Sequence, residues 1–273
     1  MTSEAVRRRL APELEMIQKL AFSTFGLDLR SGKEELIMAR IGKVMRKQNL
    51  GSFKEYYTYV VADRSGTALT EMIDALTTNY TSFFRENAHF ELLNKTILPS
   101  LKKDNVKIWS AACSSGEEPY TIAFCLYDAG FNPGSAQVLA TDISQKVLIE
   151  AKAAIYKQED LKSMPVEQRQ RYFLAGVGEK AGWFKVKPGI RSFVHFSTQN
   201  LIDPLNIKGP FDVIFCRNVM IYFNKATQQE VIRSLQQKLA PGGYLLIGHS
   251  ETLNGVQHCL QYVSPAVYRS KAL

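Results

Sequence analysis

The chain has 273 residues, enough to bury a sizeable core and to form one large domain beside a small one. Hydrophobic residues make up 45% and charged residues 22%, as in ordinary soluble globular proteins. No uncharged apolar stretch reaches the roughly 18 residues that a membrane-spanning helix needs, so we expect no direct membrane insertion. The formal net charge of +8 favours an acidic partner, which could be nucleic acid, an anionic membrane surface or an acidic protein.

Cysteine and histidine usage points to a reducing compartment and to no bound metal. The four cysteines are Cys113, Cys125, Cys216 and Cys259, and none forms a C-x-x-C pair. Scattered thiols in a chain of this length are typical of a cytoplasmic protein. None of the four histidines is spaced with a cysteine as in a zinc knuckle, so we expect no metal site. The amphipathic residues after the arginine cluster at 7–9 predict that there is no signal peptide.

Helical periodicity dominates the first part of the chain. Apolar residues recur at three- and four-residue spacing and predict a helix over 33–48, with Gly51 near its C-terminal stop. Further helices are predicted over 53–62 and 67–78. We therefore expect an all-α N-terminal domain with a linker over residues 1–85.

Strands and helices alternate from about residue 104. The predicted strands are 106–112, 137–141, 211–216 and 243–248, and the helices are 118–129, 144–154 and 225–239. This order predicts an α/β fold with a doubly wound, parallel sheet over residues 86–273. The tail 259–270 contains Pro265 and is predicted to be a closing hairpin or an edge strand.

One segment, 176–197, interrupts the alternation. Apolar and basic residues alternate from Trp183 to Lys187, Pro188-Gly189 follows, and 193–196 is again apolar and strand-like. The pattern predicts an antiparallel hairpin, which would form a small antiparallel β insertion in the α/β domain.

The loop after the first predicted strand has the features of a ligand site. Gly116 would let the backbone pass close to a ligand at the N-terminus of the next helix. The loop lacks G-x-G-x-x-G, and two carboxylates, Glu117 and Glu118, disfavour a phosphate and favour a cationic group. The alternative is that both carboxylates stabilise the helix dipole. The loop by itself supports the two interpretations equally.

Other polar residues lie where strands are predicted to end. Asp142 ends the second strand, where an acidic side chain can accept hydrogen bonds from ribose hydroxyls, although it could instead cap the following helix. Arg217 and Asn218 follow strand 211–216, a common ligand position in such folds. Tyr222 follows four residues later, and as a core aromatic it would need no function. The polar and aromatic run 77–87 by itself is typical of an interdomain linker.

Four runs together resemble one family. They are LTTNYTSFFRE (76–86), WSAACSSGEEPY (109–120), FDVIFCRNVMIYF (211–223) and GHSE (248–251). In this order they are similar to the CheR family of chemotaxis receptor methyltransferases, and the resemblance spans essentially the whole chain. It implies a class I methyltransferase that uses S-adenosylmethionine (SAM) to esterify glutamate side chains of bacterial chemoreceptors in the cytoplasm. Cys113 departs from the pattern, since a small residue such as alanine is expected there.

The resemblance also assigns roles to individual residues. It implies that nine residues bind the cofactor: Asn79, Thr81, Arg85, Glu117, Asp142, Asn200, Leu201, Arg217 and Asn218. Arg85 and Tyr222 are the expected catalytic residues, which would position the substrate carboxylate. A glutamate with a reference pKa of about 4.3 is already ionised at neutral pH, so no general base is needed.

Two surfaces are candidates for receptor binding. Lys33, Arg40, Lys43 and Lys47 form a basic stripe on helix 33–48. We predict that Arg40, Lys43 and Lys47 bind the acidic methylation helices of chemoreceptors, although a charged stripe is commonly just a solvated face. In some relatives the β insertion binds a short C-terminal receptor peptide by strand addition. For this chain, the sequence supports peptide binding and a purely structural role of the insertion equally.

Three other functions fit the sequence less well. A nucleic-acid methyltransferase would explain the positive charge, but no zinc knuckle, RRM motif or basic–aromatic stripe is found, so we expect no nucleic-acid partner. A sensor that has lost catalysis is disfavoured by the retained Arg85, Arg217, Asn218 and Tyr222. An NAD-dependent oxidoreductase lacks its glycine motif.

Overall fold

The computed structural model describes residues 3–29, 32–77, 80–102 and 104–272. The chain forms two compact units, one of Met1–Asn79 with Ile221–Gln228 and one of Tyr80–Met220 with Gln229–Leu273. The sequence placed the domain boundary after residue 85, whereas the structure groups residues 80–85 with the second unit. In the described part of the chain, no helix has the length and apolar character to cross a membrane.

The first unit is helical. Its helices are α1 (Ser3–Phe25), α2 (Glu34–Lys47), α3 (Phe53–Ala62) and α4 (Thr67–Leu76). The apolar stripe of α2 is buried, as its three- and four-residue spacing predicts; it consists of Ile37, Ile41, Val44 and Met45. The helix predicted over 53–62 is confirmed by α3, which begins after Ser52, whose side chain accepts the N–H of Glu55.

The end of α2 differs from the prediction. Asn49, not Gly51, takes the left-handed conformation after the helix, with φ of 57°. The N–H of Leu50 then donates to the carbonyl of Met45 at 2.9 Å, which closes the helix as in a Schellman motif. Asparagine tolerates this backbone conformation better than most residues, so it replaces the glycine that the sequence pattern suggested.

The second unit contains both sheets. Its strands are β1 (Val106–Ala111), β2 (Ala136–Asp142), β3 (Ile155–Lys157), β4 (Phe173–Ala175), β5 (Trp183–Val186), β6 (Val194–Thr198), β7 (Phe211–Cys216), β8 (Leu239–Ile247), β9 (Gln261–Ser264) and β10 (Val267–Arg269). The remaining helices are α5 (Ala88–Leu92), which continues through a π-helical turn Leu93–Ile97 into α6 (Leu98–Ser100), α7 (Glu117–Asp128), α8 (Gln145–Ala153), α9 (Val166–Tyr172), α10 (Pro188–Arg191) and α11 (Lys225–Lys238). Single 3₁₀ turns occupy Gln158–Leu161, Gly178–Lys180 and Met220–Tyr222.

The main sheet has seven strands in the order β6-β2-β1-β7-β8-β10-β9. The strands from β6 to β8 are parallel, and β10 and β9 close the sheet in antiparallel fashion. In the centre, Ile108 of β1 lies level with Val138 of β2 and Val213 of β7, and all three are fully buried. The predicted α/β fold and the closing hairpin are confirmed.

The predicted hairpin over 183–196 is wrong. Strand β6 pairs in parallel with β2 in the main sheet, with Val138 level with Val194. Strand β5 is the middle of a three-stranded antiparallel sheet with β3 and β4. Pro188 starts the short helix α10 instead of a tight turn, which suits proline because the first residue of a helix needs no N–H donor. A small antiparallel sheet therefore exists, but its strands come from 155–157, 173–175 and 183–186.

Candidate functional site

The loop after β1 packs closely against Tyr156 and Ala151. Gly116 has φ of 100°, and a Cβ there would lie 2.8 Å from Oη of Tyr156 and 2.9 Å from Cβ of Ala151. The same Tyr156 hydroxyl donates to the carbonyl of Ser115 at 2.9 Å, which also holds the loop in place. Any side chain larger than hydrogen would displace the loop, so this position requires glycine.

Glu117, the first residue of α7, is 7% exposed and accepts a hydrogen bond from Oγ of Ser115 at 2.8 Å. Burial raises the pKa of its carboxyl to about 7. A carboxylate that only stabilised a helix dipole would have no reason to be buried at this cost. The geometry therefore favours the other interpretation, in which Glu117 faces a cationic ligand group.

Glu118 has a different role from its neighbour. Its Oε1 accepts a hydrogen bond from Oγ of Ser110 in β1 at 2.7 Å, and its Oε2 lies 2.8 Å from Nη1 of Arg217. These contacts use both oxygens within the protein. Of the two carboxylates at the loop, Glu118 is thus the structural one.

Asp142 lies at the end of β2 and ties that strand to the loop after β1. Its Oδ2 accepts the N–H of Ser114 at 2.9 Å, and its Oδ1 accepts the N–H of Ser144 at 3.0 Å. The N-cap of α8 is Ser144, which accepts from Val147, so the helix-cap interpretation of Asp142 is wrong. A carboxylate oxygen can accept more than one hydrogen bond, which is the capacity that ribose hydroxyls would use.

The segment after β6 lies beside the end of β2, next to Asp142. The N–H of Gln199 donates to the carbonyl of Asp142 at 3.1 Å, and Oδ1 of Asn200 accepts the N–H of Ile202 at 3.4 Å. Leu201 is buried, with 7% exposure. An apolar residue next to an ordered asparagine suits the border of a planar base, the role predicted for this pair.

Arg217 is the centre of an ion-pair network that no local pattern in the sequence indicates. Its side chain is 1% exposed and lies between two carboxylates, Glu118 at 2.8 Å and Glu86 at 2.9 Å. It also donates to the carbonyl of Arg85. Although burial opposes ionisation of Glu86, hydrogen bonds from Arg217 and Asn218 lower its pKa to about 2. The guanidinium therefore joins the segment before α5 to α7.

The network extends to the ends of two adjacent strands. Nδ2 of Asn218 donates to Oε1 of Glu86 at 3.1 Å. Oε2 of Glu251 accepts the N–H of Asn218 at 2.9 Å and that of Gly248 at 2.6 Å, which joins the residues after β7 and β8. Cofactor contacts of Arg217 and Asn218 stay a prediction, since the observed contacts of both side chains are to protein.

Residues 80–86 are ordered by the α/β unit and are not a simple linker. Phe83 is 2% exposed, and the centre of its ring lies 4.8 Å from the ring centre of Tyr156 and 5.9 Å from that of Phe124. Nη1 of Arg85 donates to the carbonyl of Tyr80 at 2.7 Å, and its guanidinium lies 5.8 Å from the centre of the Tyr80 ring. The packing of Phe83 thereby sets the backbone from which Arg85 projects.

The remaining predicted site residues are Asn79, Thr81 and Tyr222. Thr81 is half-buried in the same ordered segment, and Asn79 lies outside the described residues. Tyr222 belongs to the helical unit, where its side chain is half-buried and its carbonyl accepts the N–H of Asp28 at 2.8 Å. The more buried aromatic is its neighbour Phe223, with 9% exposure.

The basic stripe on α2 is not a row of free cations. Nη1 of Arg40 donates to the carbonyl of Leu76 at 2.7 Å, where it caps the end of α4. Nζ of Lys33 donates to the carbonyl of Asp28 at 3.0 Å, and Nζ of Lys47 lies 2.9 Å from a carboxylate oxygen of Glu71. Lys43 is exposed. A receptor contact by Arg40 would compete with its structural role.

The comparisons with known proteins decide the family. Residues 12–77 match the CheR methyltransferase all-alpha domain, and residues 79–268 match the CheR methyltransferase SAM binding domain. The chain belongs to the CheR family. Chemotaxis protein methyltransferases of Salmonella typhimurium and Borreliella burgdorferi are each 38% identical to it, over 94% of this chain and 93% of theirs. Chemotaxis protein methyltransferase 2 of Pseudomonas aeruginosa is also 38% identical, over 94% of this chain and 92% of that protein.

The site fits the cofactor of a CheR methyltransferase. SAM carries a positively charged sulfonium, an amino group and a ribose. A buried carboxylate at Glu117 suits a cationic group, and the carboxylate of Asp142, whose oxygens can each accept more than one hydrogen bond, suits hydroxyls. Gly116 lets the loop pack directly against Tyr156 and Ala151, which sets the backbone from which Glu117 projects.

Proposed function

We propose that this CheR-family methyltransferase transfers the methyl group of SAM to glutamate side chains of bacterial chemoreceptors in the cytoplasm, giving glutamyl methyl esters for chemotactic adaptation. The main structural support is the buried carboxylate of Glu117 beside Gly116, which matches a cationic cofactor and disfavours a phosphate. When bound, SAM supplies a methyl group activated by the positive charge on its sulfur.

The acceptor itself needs little activation. A glutamate with a reference pKa of about 4.3 is ionised at neutral pH, so the nucleophilic oxygen is ready without a base. What the protein contributes is orientation and removal of water from the attacking oxygen. In our proposal, Arg85 binds one oxygen of the acceptor carboxylate, since a guanidinium has five N–H donors and the Tyr80 carbonyl uses one. Tyr222 is proposed to hydrogen-bond the other oxygen.

Incubation with methyl-labelled SAM and a purified chemoreceptor cytoplasmic fragment tests the proposed function. We expect label on the receptor that mild alkali releases as methanol, because carboxyl esters hydrolyse under these conditions and N-methyl groups do not. A fragment whose methylation-site glutamates are changed to alanine is the matched control and should take up no label. Alkali-stable label, or label on RNA instead of receptor, would contradict the proposal.

We further propose that acidic methylation helices dock on α2 through its exposed cations. Lys43 is exposed, and Lys47 is 73% exposed and can leave Glu71 at little cost, because surface ion pairs contribute only about 0–1 kcal/mol. Arg40 is a poor probe of docking, since its replacement would uncap α4.

Lys43→Glu should lower kcat/KM for the receptor fragment about two- to tenfold, the effect of reversing one exposed charge, with SAM affinity unchanged. Lys54→Glu, at an exposed lysine on α3, is the matched control. Both constants are obtained from initial rates of ester formation and from calorimetric titration with SAM. Equal rates in the two variants would remove Lys43 from the docking surface.

A receptor C-terminal peptide is a second proposed contact. The three-stranded sheet has the order β3-β5-β4, so β3 and β4 are its edges, and an extended peptide can pair with such an edge. Leu174 on β4 and Val177 just after it are exposed and would provide apolar contacts.

A further inference from the structure

Two histidines and a carboxylate converge beside the Arg217 network. Glu86, His89 and His249 each offer a potential ligand atom, and these atoms all lie within 4.8 Å of one another. His89 is in α5, and His249 lies in the turn after β8. The two imidazole rings meet edge to face, with their centres 4.6 Å apart. No part of the proposed methyl transfer uses this cluster.

His89 is the member that lacks an explanation in the fold. It is 2% exposed, and among the described residues neither ring nitrogen has a hydrogen-bond partner. Its Nδ1 lies 3.7 Å from Oε2 of Glu86, too far for a hydrogen bond. A buried imidazole without partners leaves a donor and an acceptor unsatisfied, which costs free energy unless another group binds there.

The surrounding charge favours a cation. Three carboxylates, those of Glu86, Glu118 and Glu251, belong to the network, against the single guanidinium of Arg217. Because Arg217 also pairs with Glu118 at 2.8 Å, Glu86 can turn towards a metal ion without leaving the guanidinium unpaired. The local excess of negative charge contrasts with the net charge of +8 of the whole chain.

We propose that Glu86, His89 and His249 bind one divalent transition-metal ion of the zinc type, with three protein ligands and an open fourth position. Two imidazole nitrogens and a carboxylate oxygen are a donor set that zinc accepts. Ligands about 2.0–2.1 Å from zinc in a tetrahedral site lie about 3.3 Å apart, so donors now within 4.8 Å must approach by about 1.5 Å at most. Oε2 of Glu86 already lies 3.7 Å from Nδ1 of His89, so most of this movement falls to His249, whose side chain is exposed.

Calorimetric titration of the chelator-treated, untagged protein with Zn²⁺ tests the site. Cys259→Ser is used as the parent, because Cys259 is exposed and could bind zinc by itself. We expect one Zn²⁺ per chain and no comparable binding of Mg²⁺, which prefers oxygen ligands. Co²⁺ should give the intense visible absorption of a tetrahedral complex.

Variants identify the ligands. His249→Gln and His89→Gln should each weaken zinc binding by at least about tenfold, whereas His195→Gln, at an exposed histidine on β6, should leave it unchanged. Because His89 is buried and its replacement could disturb folding, the exposed His249 is the decisive position, with circular dichroism to verify the fold. The proposal is overturned if the parent takes up no zinc saturably, or if His249→Gln and His195→Gln bind it equally.

Discussion

Replacing Arg217 with methionine is expected to lower the free energy of unfolding of the α/β unit by about 3–5 kcal/mol. The side chain is 1% exposed and lies between the carboxylates of Glu118 and Glu86, themselves 12% and 15% exposed. Methionine fills similar space but leaves both carboxylates without their cation. A buried charge that loses its partner costs far more than an exposed ion pair contributes.

Urea unfolding followed by tryptophan fluorescence measures this effect. The chain has two tryptophans, Trp109 in β1 and Trp183 in β5, so the signal reports on the α/β unit. Arg171→Met is the matched control: Arg171 pairs with Asp128 at 2.8 Å but is 55% exposed, and its loss should cost less than about 1 kcal/mol. If the two variants lost equal stability, the Arg217 network would not be the structural centre that its geometry indicates.

Glu117→Gln should stabilise the cofactor-free protein at alkaline pH and weaken SAM binding. Burial raises the pKa of Glu117 from 4.5 to about 7. The protonated carboxyl is therefore favoured in the folded state, and stability present below pH 4.5 is lost as pH rises through 7. Glutamine never ionises, so at pH 8 the variant should gain up to about 3 kcal/mol, with little difference at pH 4.

The same substitution removes the charge offered to the cationic cofactor. Loss of one charge-assisted hydrogen bond should weaken SAM binding about ten- to a hundredfold. Unfolding at pH 4, 6 and 8 and calorimetric titration with SAM measure both effects, with Glu167→Gln at an exposed carboxylate on α9 as the control. A parent protein equally stable at pH 6 and 8, or a Glu117→Gln variant with full SAM affinity, would contradict our assignment of this residue.

Local patterns predicted most elements well. Strand β7 and helix α3 have the predicted ends, 211–216 and 53–62, because an uninterrupted apolar run or a periodic face contains all the information that such an element needs. The ligand roles of Glu117 and Asp142 stay predictions from the family motifs, and both residues lie where a strand ends or the next helix begins.

Pairing and long-range contacts could not be predicted in this way. The alternation of 193–196 suits a strand in either sheet, and only the three-dimensional structure shows that it pairs with β2. Arg40 appeared as a surface cation because nothing local shows that it reaches the carbonyl of Leu76. The contacts of Glu118 with Arg217 and of Glu86 with His249 join residues 99 and 163 positions apart, so no spacing rule could find them.

The order of strands has a consequence for synthesis of the chain on the ribosome. Strand β1 pairs on one side with β2, which follows closely, but on the other side with β7, which begins at Phe211. Until β7 is translated, the backbone N–H and C=O groups on that edge of β1 have no strand partner. At about 5–20 residues per second, the 18 residues that follow Thr198, the last residue of β6, up to Cys216 take roughly one to four seconds. During that interval the incomplete sheet exposes an open strand edge, which can pair with another chain. Nascent chains are then most in need of a chaperone.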